Sequence, residues 1–118
     1  MEQYFKSMAQ QDLAPVVICG LDHKILYMNP AAISRYHRDL TGCSLLSCHN
    51  EKSAQIIQKV IDWFLADIAH NRVHTFYNEK ENKDVYMIAL RDARNELIGY
   101  YEKHEYRDRD TAPLYVMI

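Results

Sequence analysis

Between positions 50 and 71 the apolar residues Ile56, Ile57, Val60, Ile61, Phe64, Leu65 and Ile68 recur at three- and four-residue spacing, with Gln58, Lys59, Asp62 and Asp67 between them. This is the pattern of a long helix with one apolar stripe. Asn50 suits its N-cap, and the spacing predicts an end near His70-Asn71. A single stripe must be buried against another layer. Residues 73–79, 84–91 and 97–106 are strand-like and are separated by the polar turns Lys80-Glu81-Asn82-Lys83 and Asp92-Ala93-Arg94-Asn95-Glu96. Three such strands predict an antiparallel meander under the helix.

The first half of the chain adds a hairpin and a second helix. Pro15-Val16-Val17-Ile18-Cys19-Gly20 reads as a buried strand, Asp22-His23 as a turn, and Lys24-Ile25-Leu26-Tyr27-Met28 as the returning strand. Asn29-Pro30 then opens a short helix through His37, because Asn caps and Pro is pre-organised for the first helical position. Residues 40–43 form a turn. Before all of this, Tyr4, Phe5, Met8 and Leu13 give residues 2–13 a rough helical spacing that stops ahead of Pro15. So short a helix cannot stand alone, so its apolar face packs on the domain or on a second chain. Runs of strands separated by helices predict an α+β fold. The expected divisions are an N-terminal helix over 1–14, one domain over 15–106 and a tail over 107–118.

At 118 residues there is room for one core, and a chain of this size buries roughly two-thirds of its unfolded surface without a staple. The 14 basic and 16 acidic side chains leave a net charge of −2 and no cationic excess for nucleic acid. No apolar run approaches the ~20 residues that span a bilayer, and Met1-Glu2-Gln3-Tyr4-Phe5-Lys6 does not open a signal peptide. Cys19, Cys43 and Cys48 are odd in number and do not have the spacing of a disulfide framework. A cytoplasmic location is expected.

The stretch Val17-Ile18-Cys19-Gly20-Leu21-Asp22-His23-Lys24-Ile25-Leu26-Tyr27-Met28-Asn29-Pro30-Ala31-Ala32 resembles the opening of a PAS domain. Gly42 matches that family's glycine before its long helix, and Arg91-Asp92 and Gly99 match its last turn and last strand. A narrower likeness is to small bacterial PAS-type domains often joined to hemerythrin-like domains, where Gly42, Cys48 and His49 match a Gly-x5-Cys-His segment. The resemblance implies a five-stranded antiparallel sheet with helices on one face and a pocket between them for a small molecule, haem or flavin. It also implies a non-enzymatic sensory or signalling module that homodimerises and contacts a signalling protein; the alternative is a ligand-free interaction module whose core is filled and whose sheet face binds a partner.

On that basis Tyr27, Ile33, Tyr36, Leu45, His49, Ile57, Ile61, Tyr86, Ile88 and Tyr101 are expected to contact a ligand. Haem is a possible cofactor, with His49 as iron ligand and His37 and His70 as the other nearby imidazoles. Cys43-Ser44-Leu45-Leu46-Ser47-Cys48-His49 admits three other readings: covalent haem, zinc, or a thiol redox site at Cys48, whose thiolate the following helix N-terminus would favour. A fourth has Cys48 as a small buried hydrophobe and His49 as a capping residue. The same segment lacks the Asn, Arg and Gln that surround the photoreactive cysteine of light-sensing PAS domains. No phosphate loop, nucleophile elbow or His-Glu-x-x-His occurs.

Strand 84–91 alternates Val85, Met87, Ala89 with Tyr86, Ile88, Leu90, so both its faces are apolar. One meets the long helix. The other requires a cover: the N-terminal helix, the tail 114–118, or a second copy of the chain.

Overall fold

The computed structural model of the chain describes residues 1–116, except the Cys48 side chain. The thiol expectation for Cys48 and the last two tail residues, Met117 and Ile118, therefore lie outside the described residues. In chain order the elements are α1 (Glu2–Gln11), β1 (Val16–Gly20), β2 (Ile25–Met28), α2 (Pro30–Tyr36), a 3-10 turn (Leu45–Cys48), α3 (Glu51–Ala66), β3 (Arg72–Asn78), β4 (Lys83–Arg91) and β5 (Leu97–Tyr106). The strands form one antiparallel sheet in the order β2-β1-β5-β4-β3. The meander is thus extended at β5 by the N-terminal hairpin.

Helices α2 and α3 cover one face of this sheet. Ile57, Val60, Ile61 and Phe64 of α3 are buried with Val17, Cys19, Ile25, Met28, Ala32, Met87 and Tyr100. Because Val17 and Cys19 point into this core, Ile18 points away from it, and cross-strand partners share its face. The register places Tyr27, Ile18, Tyr101, Ile88 and Arg72 in one row across the outer face.

Asn29 ties three elements together and is 0% exposed. Its Oδ1 accepts from Val16 N at 2.9 Å and Ala32 N at 2.9 Å, so it starts β1 and caps α2. Its Nδ2 donates toward Ala9 O, Asp12 O and Ala14 O at 2.9, 3.2 and 2.9 Å, which anchors the end of α1. At Gly99 the backbones of β5 and β1 approach so closely that a Cβ would run into the Cys19 carbonyl oxygen. Gly42, at φ +93°, takes a left-handed turn that returns the chain along the β2 edge, where Gly42 N donates to Ile25 O and Ile25 N to Cys43 O.

Helix α3 ends at Ala66, earlier than its periodicity predicts, and Leu65 and Ile68 are exposed. The cause is tertiary. Arg91 Nη2 donates to Phe64 O at 2.7 Å, Asp67 O at 3.2 Å and His70 O at 3.1 Å, and its Nε donates to Asn71 Oδ1 at 2.7 Å. A guanidinium fork on β4 thus takes carbonyls that another helical turn would have used. Arg91→Ala is expected to cost about 2 kcal/mol, because several part-buried carbonyls lose a charged donor. Urea unfolding would measure the loss. Amide exchange should quicken from Phe64 to Asn71 while β1 and β5 stay protected; uniform quickening would mean that Arg91 does not act on the helix end.

Candidate functional site: a cavity between the helices and the sheet

A cavity of about 330 Å³ opens where the end of α2, the turn before α3 and the first half of α3 stand over β3, β4 and β5. Its apolar wall is Ile56, Ile57, Val85 and Met87, with Phe76 at the β3 side. A bulge between His74 and Phe76 sets Phe76, not Thr75, opposite Val85, and both Thr75 and Phe76 line the cavity. Thr75 Oγ1 is spent on Val85 O at 3.2 Å.

The polar residues of the cavity are arranged at two places. At one end Lys83, which begins β4 on the same face as Val85 and Met87, is 0% exposed. Its Nζ makes no hydrogen bond; Glu81 Oε2 stands 3.4 Å away, an ion contact longer than a good hydrogen bond. Glu81 is occupied elsewhere, accepting from Arg35 Nη1 at 3.0 Å on both oxygens and from Asn78 Nδ2 at 2.7 Å. Although desolvation works against its charge, Arg35 and Lys83 hold the Glu81 carboxyl below the usual carboxylate range. On the sheet floor His104 is 5% exposed, and its Nε2 pairs with Glu102 Oε1 at 2.9 Å. A carboxylate only accepts, so Nε2 carries the proton, and Nδ1 is left buried without a partner. Among the described residues, the buried side-chain polar atoms without a hydrogen bond are Lys83 Nζ and His104 Nδ1, and both residues line this one cavity.

Of the residues expected at a ligand, Tyr36, His49 and Ile57 line the cavity. Ile61 and Leu45 are buried in the core beside it, and Ile33 packs against that core. Tyr27, Tyr86, Ile88 and Tyr101 lie on the opposite face of the sheet. Tyr86 instead carries the Arg72 guanidinium 4.0 Å above its ring and accepts from Arg107 Nη2 at 2.7 Å. Arg107 also pairs with Asp84 at 2.6 Å, holding that carboxyl low, so the start of the tail is pinned to β4. Lys83, His104, Glu102 and Arg35 were not foreseen. Their signal was available only as parity: Lys83 shares its face with Val85 and Met87, as His104 does with Tyr100.

His49 donates Nδ1–H to Leu45 O at 2.9 Å and lines the cavity. A haem nevertheless does not fit. The cavity lies at the lower end of small-molecule sites, roughly 300–1,000 Å³, and a macrocycle laid across it would cover Lys83 Nζ and the His104–Glu102 pair with apolar surface. Among the described residues no three His, Cys, Asp or Glu converge on a zinc site: Cys43 is exposed and His70 is stacked on Trp63 at 3.8 Å.

A second polar chain joins the helix to the sheet. Tyr100 OH is 2.8 Å from His23 Nδ1, and His23 Nε2 is 3.1 Å from Gln58 Oε1. Gln58 Oε1 accepts, so Nε2 carries the His23 proton and Nδ1 accepts from Tyr100. Burial, with the Cys19 thiol beside it, pushes the Tyr100 phenol upward and keeps it a donor.

Neither protein-family models nor curated proteins match this sequence. Solved structures do. The chain is similar to a PAS domain from Colwellia psychrerythraea, with 9% identity, a TM-score of 0.69, and 90% of this chain and 96% of that one covered. It is similar to a C-terminal domain from Streptococcus mutans, with 22% identity, a TM-score of 0.66 and coverage of 89% and 84%. A sensory box sensor histidine kinase from Vibrio cholerae is similar at 14% identity and a TM-score of 0.61, with coverage of 89% and 87%. The fold is therefore PAS-like. No helix among the described residues is long and apolar enough to cross a membrane.

Proposed function

We propose that this PAS-fold chain is a non-enzymatic sensory module that binds a small molecule in the cavity between α2, α3 and β3–β5 and passes the event on by protein contact. The observation that carries this reading is the cavity itself, which is lined on one side by α3 and on the other by the sheet. A ligand seated there touches both layers, so it can favour one helix–sheet packing over another, which is all that a population shift requires. The Vibrio cholerae neighbour, a sensor histidine kinase, supports the sensory part of the reading. Native mass spectrometry of gently purified protein, with a visible spectrum of the same sample, tests it. Added mass per chain is expected. A chain that carries none, and that no small molecule stabilises against heat, would overturn the reading.

The contact partner in this proposal is first a second copy of the chain. Every residue of α1 but Ala9 is exposed, including Tyr4, Phe5 and Met8, and the outer row Tyr27, Ile18, Tyr101 and Ile88 is only half-buried. A ten-residue helix needs tertiary support, and an apolar sheet face needs a cover, so each meets the other's requirement across a two-fold axis. Light scattering on a sizing column should find a dimer, and Phe5→Glu should shift it to monomer. A monomeric wild type would remove this part of the proposal.

A further inference from the structure

We infer that the cavity takes a small amphipathic 2-hydroxy acid: its carboxylate accepts from Lys83 Nζ, and its hydroxyl donates to His104 Nδ1. This rests on the sensory reading above and adds the chemical class of the ligand. Lys83 is fully buried, yet its ammonium has no hydrogen-bond acceptor: it has a 3.4 Å ion contact with Glu81 and lies 5.4 Å from the centre of the Tyr106 ring. Burying a charge in this way is costly unless an acceptor arrives. Glu81 does not fill that need, since it is shared with Arg35 at 3.0 Å. Two cations around one carboxylate leave one positive charge in excess at the Arg35–Glu81–Lys83 end of the cavity, which a ligand carboxylate placed there cancels, while the Glu102 carboxylate lies beside His104.

His104 supplies the second half of the specification. With Nε2–H committed to Glu102, Nδ1 is buried without a partner, and in the tautomer with one ring proton it is an acceptor. Val85 faces His104 across the β4–β5 ladder and Lys83 faces Tyr106, so Lys83 and His104 are diagonal neighbours on one face. A carboxylate and a hydroxyl on adjacent carbons offer such a pair one acceptor and one donor. The apolar part of the lining, with Ile57, Val85 and Met87, suits a branched or aromatic body.

Calorimetric titration with 2-hydroxy-4-methylpentanoate and 3-phenyllactate, each beside its amide, tests the inference on the full chain. At least one acid is expected to bind, with its amide weaker by about tenfold or more, because the amide forfeits a charge-assisted hydrogen bond. Lys83→Met, which keeps the length and drops the ammonium, should weaken the acid by a similar factor while leaving the free protein at least as heat-stable as the wild type. Loss of stability with unchanged acid binding would make Lys83 a structural ion-pair partner and overturn the inference. So would an amide that binds as well as its acid, although the sensory reading would then stand on a neutral ligand. If neither acids nor amides bind, the 2-hydroxy acid is overturned, and the native mass measurement decides separately whether the sensory reading falls with it.

Discussion

Asn29→Ala is expected to lower the free energy of unfolding by about 3 kcal/mol, from a lost helix cap plus buried backbone groups left without partners. The side chain is fully buried and serves five backbone groups from residues 9 to 32. Truncation leaves Val16 N and Ala32 N without their acceptor and the carbonyls at the end of α1 without their donor. Denaturant unfolding measures the sum, and Asn29→Asp divides it. Aspartate keeps the oxygen that caps α2 and receives Val16 N, but it places a carboxylate against three carbonyl oxygens. The expected result is a folded domain from which α1 is released, seen as rapid amide exchange and proteolysis confined to residues 2–14. Because α1 is proposed to form the dimer contact, Asn29→Asp should also weaken association. If α1 stays protected in Asn29→Asp, its anchor is not the Asn29 amide.

Gly99→Ala is the second large effect, expected at about 2–3 kcal/mol or more, the range for forcing atoms into a packed interior. Its cause differs in kind. No hydrogen bond is removed; the new Cβ meets the Cys19 carbonyl oxygen, which is backbone and cannot turn aside. Strands β1 and β5 must separate at the Gly20–Gly99 pairing, which is the seam joining the N-terminal hairpin to the meander. Thermal unfolding should show the loss, and exchange should rise first in β1 and β2. Gly20→Ala is the control: its Cβ would meet only the Asp22 carboxylate at 3.1 Å and Leu26 Cδ1 at 3.8 Å, both movable side-chain ends. It should cost much less. Equal effects from the two substitutions would show that the close approach at Gly99 is not what matters.

Much of the fold was legible along the chain because it is written in local rules. Asn29-Pro30 and Asn50 cap α2 and α3 with their side chains, accepting from Ala32 N and Ser53 N. The stripe Ile57, Val60, Ile61, Phe64 is the buried face of α3, and β5 runs over residues 97–106 as its pattern predicts. Each of these depends on residues within about one turn or one strand of each other. The end of α3 was not legible, since Arg91, twenty-four residues beyond Asp67, supplies its cap.

The site divides in the same way. Tyr36 and Ile57 lie on helices whose inward side periodicity reveals, and His49 follows from the PAS resemblance. Tyr86, Ile88 and Tyr101 were assigned to the cavity although they face outward, because both faces of β4 are apolar and alternation alone cannot say which one meets the helices. Sequence by itself determined the elements, their caps and the α+β order, since those follow from backbone preference and nearest-neighbour patterning. Only the tertiary structure decided which face of the sheet is inside. Register across β1, β5 and β4 couples every side chain to that single choice, and it is this choice that brings Lys83 and His104 to one cavity with Nζ and Nδ1 buried and without hydrogen-bond partners.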